Sequence, residues 1–127
     1  MTTALQERIG ELTKGMLRKR LFVVISKGSG RPELIASLLP EHLQYMVGLE
    51  KAGILFASGP LGAGDGAVPG DGLTILNVDT LEHARTLAAI DPFVRAGARS
   101  FTVREWTLME GRMQVTLSFS DRSLTVD

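Results

Sequence analysis

His42 and Asp91 are the residues of this chain whose types and positions best suit proton-transfer chemistry. The sequence has two histidines and no cysteine, so few of its side chains can move a proton near neutral pH. His42 follows Pro40, where a helix is predicted to begin, and Asp91 precedes Pro92, where a second helix is predicted to end. A carboxylate near an imidazole can orient it and stabilise its charged form. We therefore predict that His42 and Asp91 form a catalytic acid/base pair.

Each member of this pair also has a structural interpretation. His42 can simply bond its neighbours at a helix start, and Asp91 can cap the turn before Pro92. If His42 lies in a first helical turn, the helix dipole disfavours the imidazolium, so a neutral imidazole able to accept a proton is expected. The catalytic interpretation gains weight only when the two residues are considered together, at helix termini on one side of a sheet.

Four further residues are predicted to bind substrate near this pair: Ser58, Gly59, Pro60 and Phe93. Ser58 offers a hydroxyl at the end of a predicted strand. A nucleophilic role for Ser58 is disfavoured because no Gly-x-Ser-x-Gly elbow surrounds it. The other histidine, His83, falls on the polar side of its predicted helix and is interpreted as a surface residue.

Phosphate and metal sites find little support in the sequence. The glycine-rich stretch 61–72 lacks the Gly-Lys-Ser/Thr ending of a phosphate loop and no helix follows it directly, so it is interpreted as a flexible lid or a plain connection. His42 and Asp91 would supply only two metal ligands, and no His-x-x-x-His spacing is present. We predict no metal and no cofactor.

The elements that must position these residues alternate between strands and helices. A buried strand is predicted at 21–25, a short helical turn at 33–38, a main helix from Pro40 to Lys51, strands at 54–57 and 73–78, a helix from Leu81 and a strand at 100–108. The order strand, helix, strand, strand, helix, strand is that of an α+β, ferredoxin-like βαββαβ unit with both helices on one sheet face. The other face needs a partner, so we expect a homodimer.

Two segments extend beyond this unit. Residues 4–19 are predicted to form an amphipathic helix, and residues 112–119 alternate as an extra half-buried strand. The whole chain, 1–127, is predicted to be a single domain with a core at 21–108, because 127 residues with 44% apolar composition suit one hydrophobic core.

Charge and composition exclude several partners. Lysine plus arginine equals aspartate plus glutamate at 14 each, so no net field favours nucleic acid or an anionic membrane. The basic residues at 14–20 are interpreted as the solvated face of a helix. No apolar run resembles a signal peptide or a transmembrane span. Together with the absence of cysteine, this predicts a cytoplasmic protein.

Three short motifs resemble the YciI-like (YCII-related) family over roughly residues 21–108. In chain order they are Pro40-Glu41-His42-Leu43, then Gly53-x-Leu55-x-Ala57-Ser58-Gly59-Pro60, then Asp91-Pro92-Phe93 with Gly97. The resemblance implies a dimeric α+β barrel with a cleft in which His42 and Asp91 correspond to the histidine and aspartate of the family. The helix at 4–19 and the tail after Leu108 depart from the family pattern.

The resemblance also implies a class of activity. One member of the family is a dehydrochlorinase acting on a chlorinated hydroxyhydroquinone, and the related barrel fold includes muconolactone isomerases. We therefore expect a cofactor-independent lyase or isomerase that moves a proton on a small oxygenated ring compound. One alternative is a non-catalytic dimer that binds a small molecule or a protein partner. Another is haem chemistry, with one histidine as an axial ligand.

Overall fold

The computed structural model describes residues 2–127 and divides into two units. The central unit is Arg20–Thr107, and the terminal unit comprises residues 2–19 and 108–127. In chain order the elements are α1 (Thr3–Thr13), β1 (Lys19–Gly28), α2 (Pro32–Lys51), β2 (Leu55–Pro60), β3 (Gly72–Leu76), α3 (Leu81–Ile90), α4 (Pro92–Arg95), β4 (Arg99–Leu108), β5 (Val115–Ser118) and β6 (Ser123–Val126).

A four-stranded sheet with the strand order β2-β3-β1-β4 organises the central unit. β3 runs antiparallel to both of its neighbours, with Thr74 opposite Val24 of β1 and opposite Ser58 of β2. This order places β1 and β3 in the centre of the sheet and β2 and β4 at its edges, as the ferredoxin-like arrangement requires. The predicted α+β class is confirmed.

The hydrophobic core lies between the sheet and the helices α2 and α3. Alternate residues of the middle strands, Phe22 and Val24 on β1 and Leu76 on β3, point into this core because side chains alternate between the faces of a strand. The helices contribute Met46, Leu49, Ala84 and Ala88. The opposite face of the sheet carries the half-buried side chains Val23, Ile25, Leu73 and Ile75.

Helix α2 differs from its prediction. It is one continuous helix from Pro32 to Lys51 with Pro40 inside it, whereas the sequence predicted a short turn and then a new helix starting at Pro40. Pro32, at the first helical position, is the residue that begins the helix. Proline in a helix interior removes one backbone hydrogen bond, and burial of Met46 and Leu49 in the core holds the helix together despite that loss. His42 therefore lies in the middle of the helix, and the expected effect of a first-turn dipole on its charge does not apply.

Smaller differences concern the neighbouring elements. β2 continues through Ser58 to Pro60, where a proline is tolerated because β2 is an edge strand. A short helix, α4, follows Asp91, where the sequence predicted only the end of the preceding helix. On α2, the apolar residues Leu43 and Val47 are exposed at 51% and 44% and do not join Met46 and Leu49 in the core.

The terminal unit contains α1 and a two-stranded antiparallel sheet. Thr2 caps α1 by accepting a hydrogen bond from the backbone N–H of Leu5. The sequence predicted one half-buried strand at 112–119. The structure has the shorter strand β5, whose residues are all exposed, and adds a second strand, β6, which pairs with β5 as a hairpin. Across residues 2–127, no helix combines the length and apolar character needed to cross a membrane.

Candidate active site

The side chains of His42 and Asp91 meet in the central unit. Nδ1 of His42 lies 2.8 Å from Oδ1 of Asp91, which is a hydrogen bond of ordinary length. Their side chains are only 12% and 7% exposed, so the contact is largely shielded from water. The two residues are 49 positions apart in sequence, and they meet because α2 and the α3–α4 junction pack on the same sheet face.

Asp91 is held in place by its own backbone as well as by His42. It precedes Pro92 and adopts an extended conformation with ψ of 126°, which ends α3 and lets its side chain cap α4. Oδ1 of Asp91 accepts a hydrogen bond from the backbone N–H of Phe93 at 3.0 Å. The same oxygen therefore serves as the helix cap and as the partner of His42, so the structural and the catalytic interpretations of Asp91 are compatible.

The contact with Asp91 sets the tautomer of His42. An ionised carboxylate only accepts hydrogen bonds, so Nδ1 of His42 donates and Nε2 of the neutral ring keeps its lone pair. The imidazole is stacked on the ring of Phe93, with centroids 4.3 Å apart and planes inclined by 19°. Hydrogen bond and stacking together fix the ring orientation and leave Nε2 as its free acceptor atom.

His42 faces a cleft of about 310 Å³ in the central unit. Its walls come from α2, β2, β3, the connection between β2 and β3, and the α4–β4 region. The residues that line it are Ile35, Leu39, His42, Leu43, Met46, Ser58, Gly59, Pro60, Leu61, Gly70, Asp71, Thr74, Phe93 and Arg99. Small-molecule sites are commonly apolar clefts of this size with a few polar groups.

All four predicted substrate-binding residues line this cleft. Ser58, Gly59 and Pro60 form the wall of the cleft that β2 contributes, and the ring of Phe93 stacks on the imidazole of His42. Asp91 does not line this cleft and is connected to it by its hydrogen bond to His42. His83 is exposed on α3, away from these residues.

Two charged residues of the cleft, Arg99 and Asp71, were not predicted from the sequence. Arg99 is 8% exposed and Asp71 is 7% exposed, so both charges are buried. The alternation of β4 contains a signal for Arg99, because it shares a strand face with Phe101 and Val103, which pack on the core. Asp71 stands between two glycines at the end of the loop, and nothing in its sequence context distinguishes it from an ordinary turn residue.

Asp71 anchors the connection between β2 and β3 to β1. Its carboxylate accepts hydrogen bonds from the backbone N–H groups of Gly28, at 2.9 Å, and Val68, at 3.0 Å. These two bonds, with a smaller contribution from Lys27, hold the pKa of Asp71 below its usual value. The backbone N–H of Leu61 donates to the carbonyl of Asp71 at 3.0 Å, which closes the base of the glycine-rich loop.

Burial shifts the pKa of two groups near the His42–Asp91 pair, Arg99 and Tyr45. It lowers the pKa of Arg99, although Asp91 and Asp71 act in the opposite direction. Burial raises the pKa of Tyr45, and the negative charge of Asp91 adds to that shift. The hydroxyl of Tyr45 donates to the carbonyl of Leu87 at 2.6 Å and so joins α2 to α3.

Within residues 2–127, no group of three or more His, Cys, Asp or Glu side chains is arranged to hold a metal ion. The polar groups in or next to the cleft with His42 include the carboxylate of Asp91, the guanidinium of Arg99 and the hydroxyl of Ser58. This set is suited to proton transfer and hydrogen bonding with an oxygenated ligand.

Comparison with known proteins places the chain in a family. Residues 21–107, most of the chain, match the model of the YCII-related domain. The chain belongs to the YCII-related family. The matched segment contains the cleft and every residue discussed above, whereas α1 and the hairpin of β5 and β6 lie outside it.

One solved structure similar to this YCII-related protein is an enzyme. It is the 5-chloro-2-hydroxyhydroquinone dehydrochlorinase from Burkholderia phenoliruptrix AC1100, in complex with 2,5-dihydroxybenzoquinone. The two chains are 25% identical, the alignment covers 68% of this chain and 92% of the other, and the TM-score is 0.57. No curated protein matches this YCII-related chain significantly.

Proposed function

We propose that this YCII-related protein is a small enzyme, a lyase of the dehydrochlorinase type or an isomerase, that moves a proton on a small oxygenated ring compound. The observation that carries the proposal is the hydrogen bond of 2.8 Å between His42 and Asp91 at a cleft large enough for one ring. The similarity to a hydroxyhydroquinone dehydrochlorinase supports the choice of substrate class. In this proposal the protein needs no cofactor, because the reaction is a proton transfer coupled to loss of chloride.

His42 moves the proton in the proposed reaction, and Asp91 orients the imidazole. In the dehydrochlorination of a chlorinated hydroxyhydroquinone, the ring carbon that carries chlorine first gains a proton while a neighbouring hydroxyl becomes a ketone. Nε2 of His42 then accepts a proton from a second hydroxyl, and the electron pair of that O–H bond moves through the ring. Chloride leaves with the electron pair of the C–Cl bond, so the net loss is HCl and no external oxidant is required.

The remaining cleft residues bind the ring in this proposal. Phe93 fixes the plane of the imidazole through stacking, so that Nε2 keeps one direction. The hydroxyl of Ser58, on the opposite wall, donates to a ring oxygen, while Gly59 and Pro60 leave room for the ring. These contacts would restrain the substrate in an orientation that favours the reaction.

The rival hypothesis is a non-catalytic protein that binds a small molecule or another protein. The observation that favours it is the second bond of Asp91: its Oδ1 already caps α4 through the N–H of Phe93. Under this hypothesis the His42–Asp91 contact is a structural bond, and loss of either partner leaves a buried polar group unpaired at a cost of about 1 to 3 kcal/mol.

We further propose that the protein acts as a cytoplasmic homodimer. Support for the dimer comes from the half-buried apolar side chains Val23, Ile25, Leu73 and Ile75 on the sheet face opposite the core. The cytoplasmic assignment rests on the absence of cysteine from the sequence.

Substitution of the pair separates the two hypotheses. With 5-chloro-2-hydroxyhydroquinone as substrate and chloride release as the readout, His42→Ala is expected to reduce kcat by about two orders of magnitude or more. Asp91→Asn keeps an oxygen that can cap α4 but removes the charge, so it is expected to reduce kcat with little change in melting temperature. The double variant should be little worse than His42→Ala alone, because the two side chains act as one unit.

The rival hypothesis predicts the reverse pattern. Ligand binding would persist in each variant, and the melting temperature would fall in His42→Ala. Additive losses of stability without a selective loss of turnover would refute the enzymatic proposal. If the chlorinated compound is not turned over, a panel of phenols, hydroquinones and lactones is tested for thermal stabilisation of the wild-type protein. The compounds that stabilise it are candidate substrates for the turnover assay.

A further inference from the structure

Arg99 places a buried positive charge in the wall of the cleft. Its side chain is only 6% exposed, yet it lines the cleft together with His42 and Ser58. Arginine is rarely buried to this extent without a partner that compensates its charge. The contacts of Arg99 therefore indicate which of its nitrogen atoms remain available to bind a ligand.

Three contacts fix the guanidinium of Arg99. Nε donates to the backbone carbonyl of Gly70 at 2.8 Å, and Cζ lies 4.9 Å from the centre of the Phe93 ring. Gly72 leaves the space that the group occupies, since a Cβ atom there would approach Nη2 to 2.7 Å. A guanidinium held in this way is preorganised, because little side-chain entropy remains to be lost on binding.

The terminal nitrogens of Arg99 are not hydrogen-bonded to the nearby carboxylates. Nη1 is 3.7 Å from Oδ2 of Asp91, which is an ion-pair distance but too long for a hydrogen bond. Oδ1 of Asp91 is occupied by His42 and by the N–H of Phe93. Among residues 2–127, Nε is the one nitrogen of Arg99 with a hydrogen-bond partner.

Arg99 and His42 share two neighbours, which places them close to the same ligand. Both side chains pack on the ring of Phe93, and each faces a different carboxylate oxygen of Asp91. Because both residues also line the same cleft, a ring bound against Nε2 of His42 lies in the cleft that the guanidinium of Arg99 lines. An oxygen that becomes negative when a hydroxyl loses its proton would be stabilised there.

We propose that Arg99 binds the anionic oxygen of the ligand and so makes the cleft selective for ring compounds with an ionised hydroxyl group. The ring itself rests on the proposed function, whereas the selectivity for an anionic oxygen is a property of binding that requires no turnover. Arg99 is thus a specificity residue for hydroxyquinones and ionised phenols, rather than only a structural counter-ion of Asp91.

Two probes of similar ring shape test this selectivity by titration calorimetry at low ionic strength. The first, 2,5-dihydroxybenzoquinone, is anionic at neutral pH, and the second, 2,5-dimethoxybenzoquinone, cannot ionise. The wild-type protein is expected to bind the first at least about tenfold more tightly than the second, because one charge-assisted hydrogen bond contributes a difference in affinity of that size. Arg99→Met should reduce this ratio to about one, and the matched variant Arg95→Met should retain it, because Arg95 is an exposed arginine outside the cleft.

A second variant covers the case in which Arg99→Met does not fold. Gly72→Ala keeps the arginine but forces its guanidinium to move, so it should lower the ratio while circular dichroism and melting temperature stay near wild type. Equal affinity of the wild-type protein for the two probes, or no measurable binding of 2,5-dihydroxybenzoquinone, overturns the proposal. A wild-type ratio in folded Arg99→Met, or in Gly72→Ala when Arg99→Met is unfolded, overturns it as well. The proposed enzymatic activity is tested separately by chloride release.

Discussion

At the scale of single residues, the candidate site depends on side chains with more than one bonding partner. Oδ1 of Asp91 accepts from His42 and from the N–H of Phe93, and the carboxylate of Asp71 accepts from two backbone N–H groups. Such shared acceptors couple local backbone structure to the geometry of the cleft. A substitution that removes the accepting oxygens of Asp71 or Asp91 therefore changes both stability and the position of the reacting groups.

The lowered pKa of Asp71 predicts a dependence of stability on acid. Because the folded-state pKa lies below the usual value of 3.8, ionised Asp71 stabilises the fold above pH 3.8, and this contribution is lost as pH falls through the folded-state value. Asp71→Asn should therefore melt at a lower temperature than wild type at neutral pH, and the difference should shrink below pH 3.8.

Thermal melting followed by circular dichroism at a series of pH values measures this difference. Asp65→Asn is the matched control, since Asp65 is exposed in the same loop. A difference between wild type and Asp71→Asn that stays constant into the acid range would contradict the role assigned to the two backbone hydrogen bonds.

At the scale of elements, helix α2 bears the clearest conflict between local preference and tertiary packing. Pro40 lies inside the helix, where it cannot donate a hydrogen bond to the carbonyl of Ala36. The helix persists because its core-facing residues, Met46 and Leu49, are buried against the sheet. His42 follows Pro40 by two positions, so the conflict lies next to the candidate catalytic residue.

Replacement of this proline is expected to stabilise the protein. Pro40→Ala restores an N–H to the helix interior and should raise the free energy of unfolding by up to about 3 kcal/mol. Pro32→Ala, at the first position of the same helix, should bring no such gain, because the first N–H of a helix has no partner within it. Urea denaturation of both variants measures the effect, and equal stabilities would show that Pro40 is accommodated without cost.

At the scale of the whole molecule, the central sheet has an apolar face on the side opposite the hydrophobic core. Val23, Ile25, Leu73 and Ile75 point away from the core, and Trp106 of β4 is 37% exposed. These residues line a second depression in the central unit, of about 370 Å³. An apolar sheet face of this kind is typical of a surface that pairs with another copy of the chain.

A charge placed on this face should prevent self-association. Wild-type protein is expected to sediment as a dimer at micromolar concentration, and Ile75→Lys as a monomer, because burial of an unpaired ammonium group in an apolar interface is strongly unfavourable. Thr86→Lys introduces the same charge on the exposed side of α3 and should leave the dimer intact. A monomeric wild-type protein would contradict the proposed homodimer.

The sequence alone determined the four strands of the central sheet, their order along the chain and the family. The β-branched and aromatic run at 21–25 predicted a strand, and helical spacing from Leu81 predicted a helix, and the structure contains both because these patterns follow from local backbone geometry. The motifs around His42, Ser58 and Asp91 identified the family, which the match over residues 21–107 confirms. The catalytic roles of His42 and Asp91 stay predictions.

Only the tertiary structure decided which of these residues meet and what surrounds them. The continuous helix α2 depends on core packing that outweighs the cost of Pro40, and no local pattern reports that balance. Arg99 joins the cleft through a contact with Gly70, and Asp71 through a contact with Gly28, and both partners are distant in sequence. A buried charge is stable only where partners from several elements converge, and that convergence is a property of the folded chain.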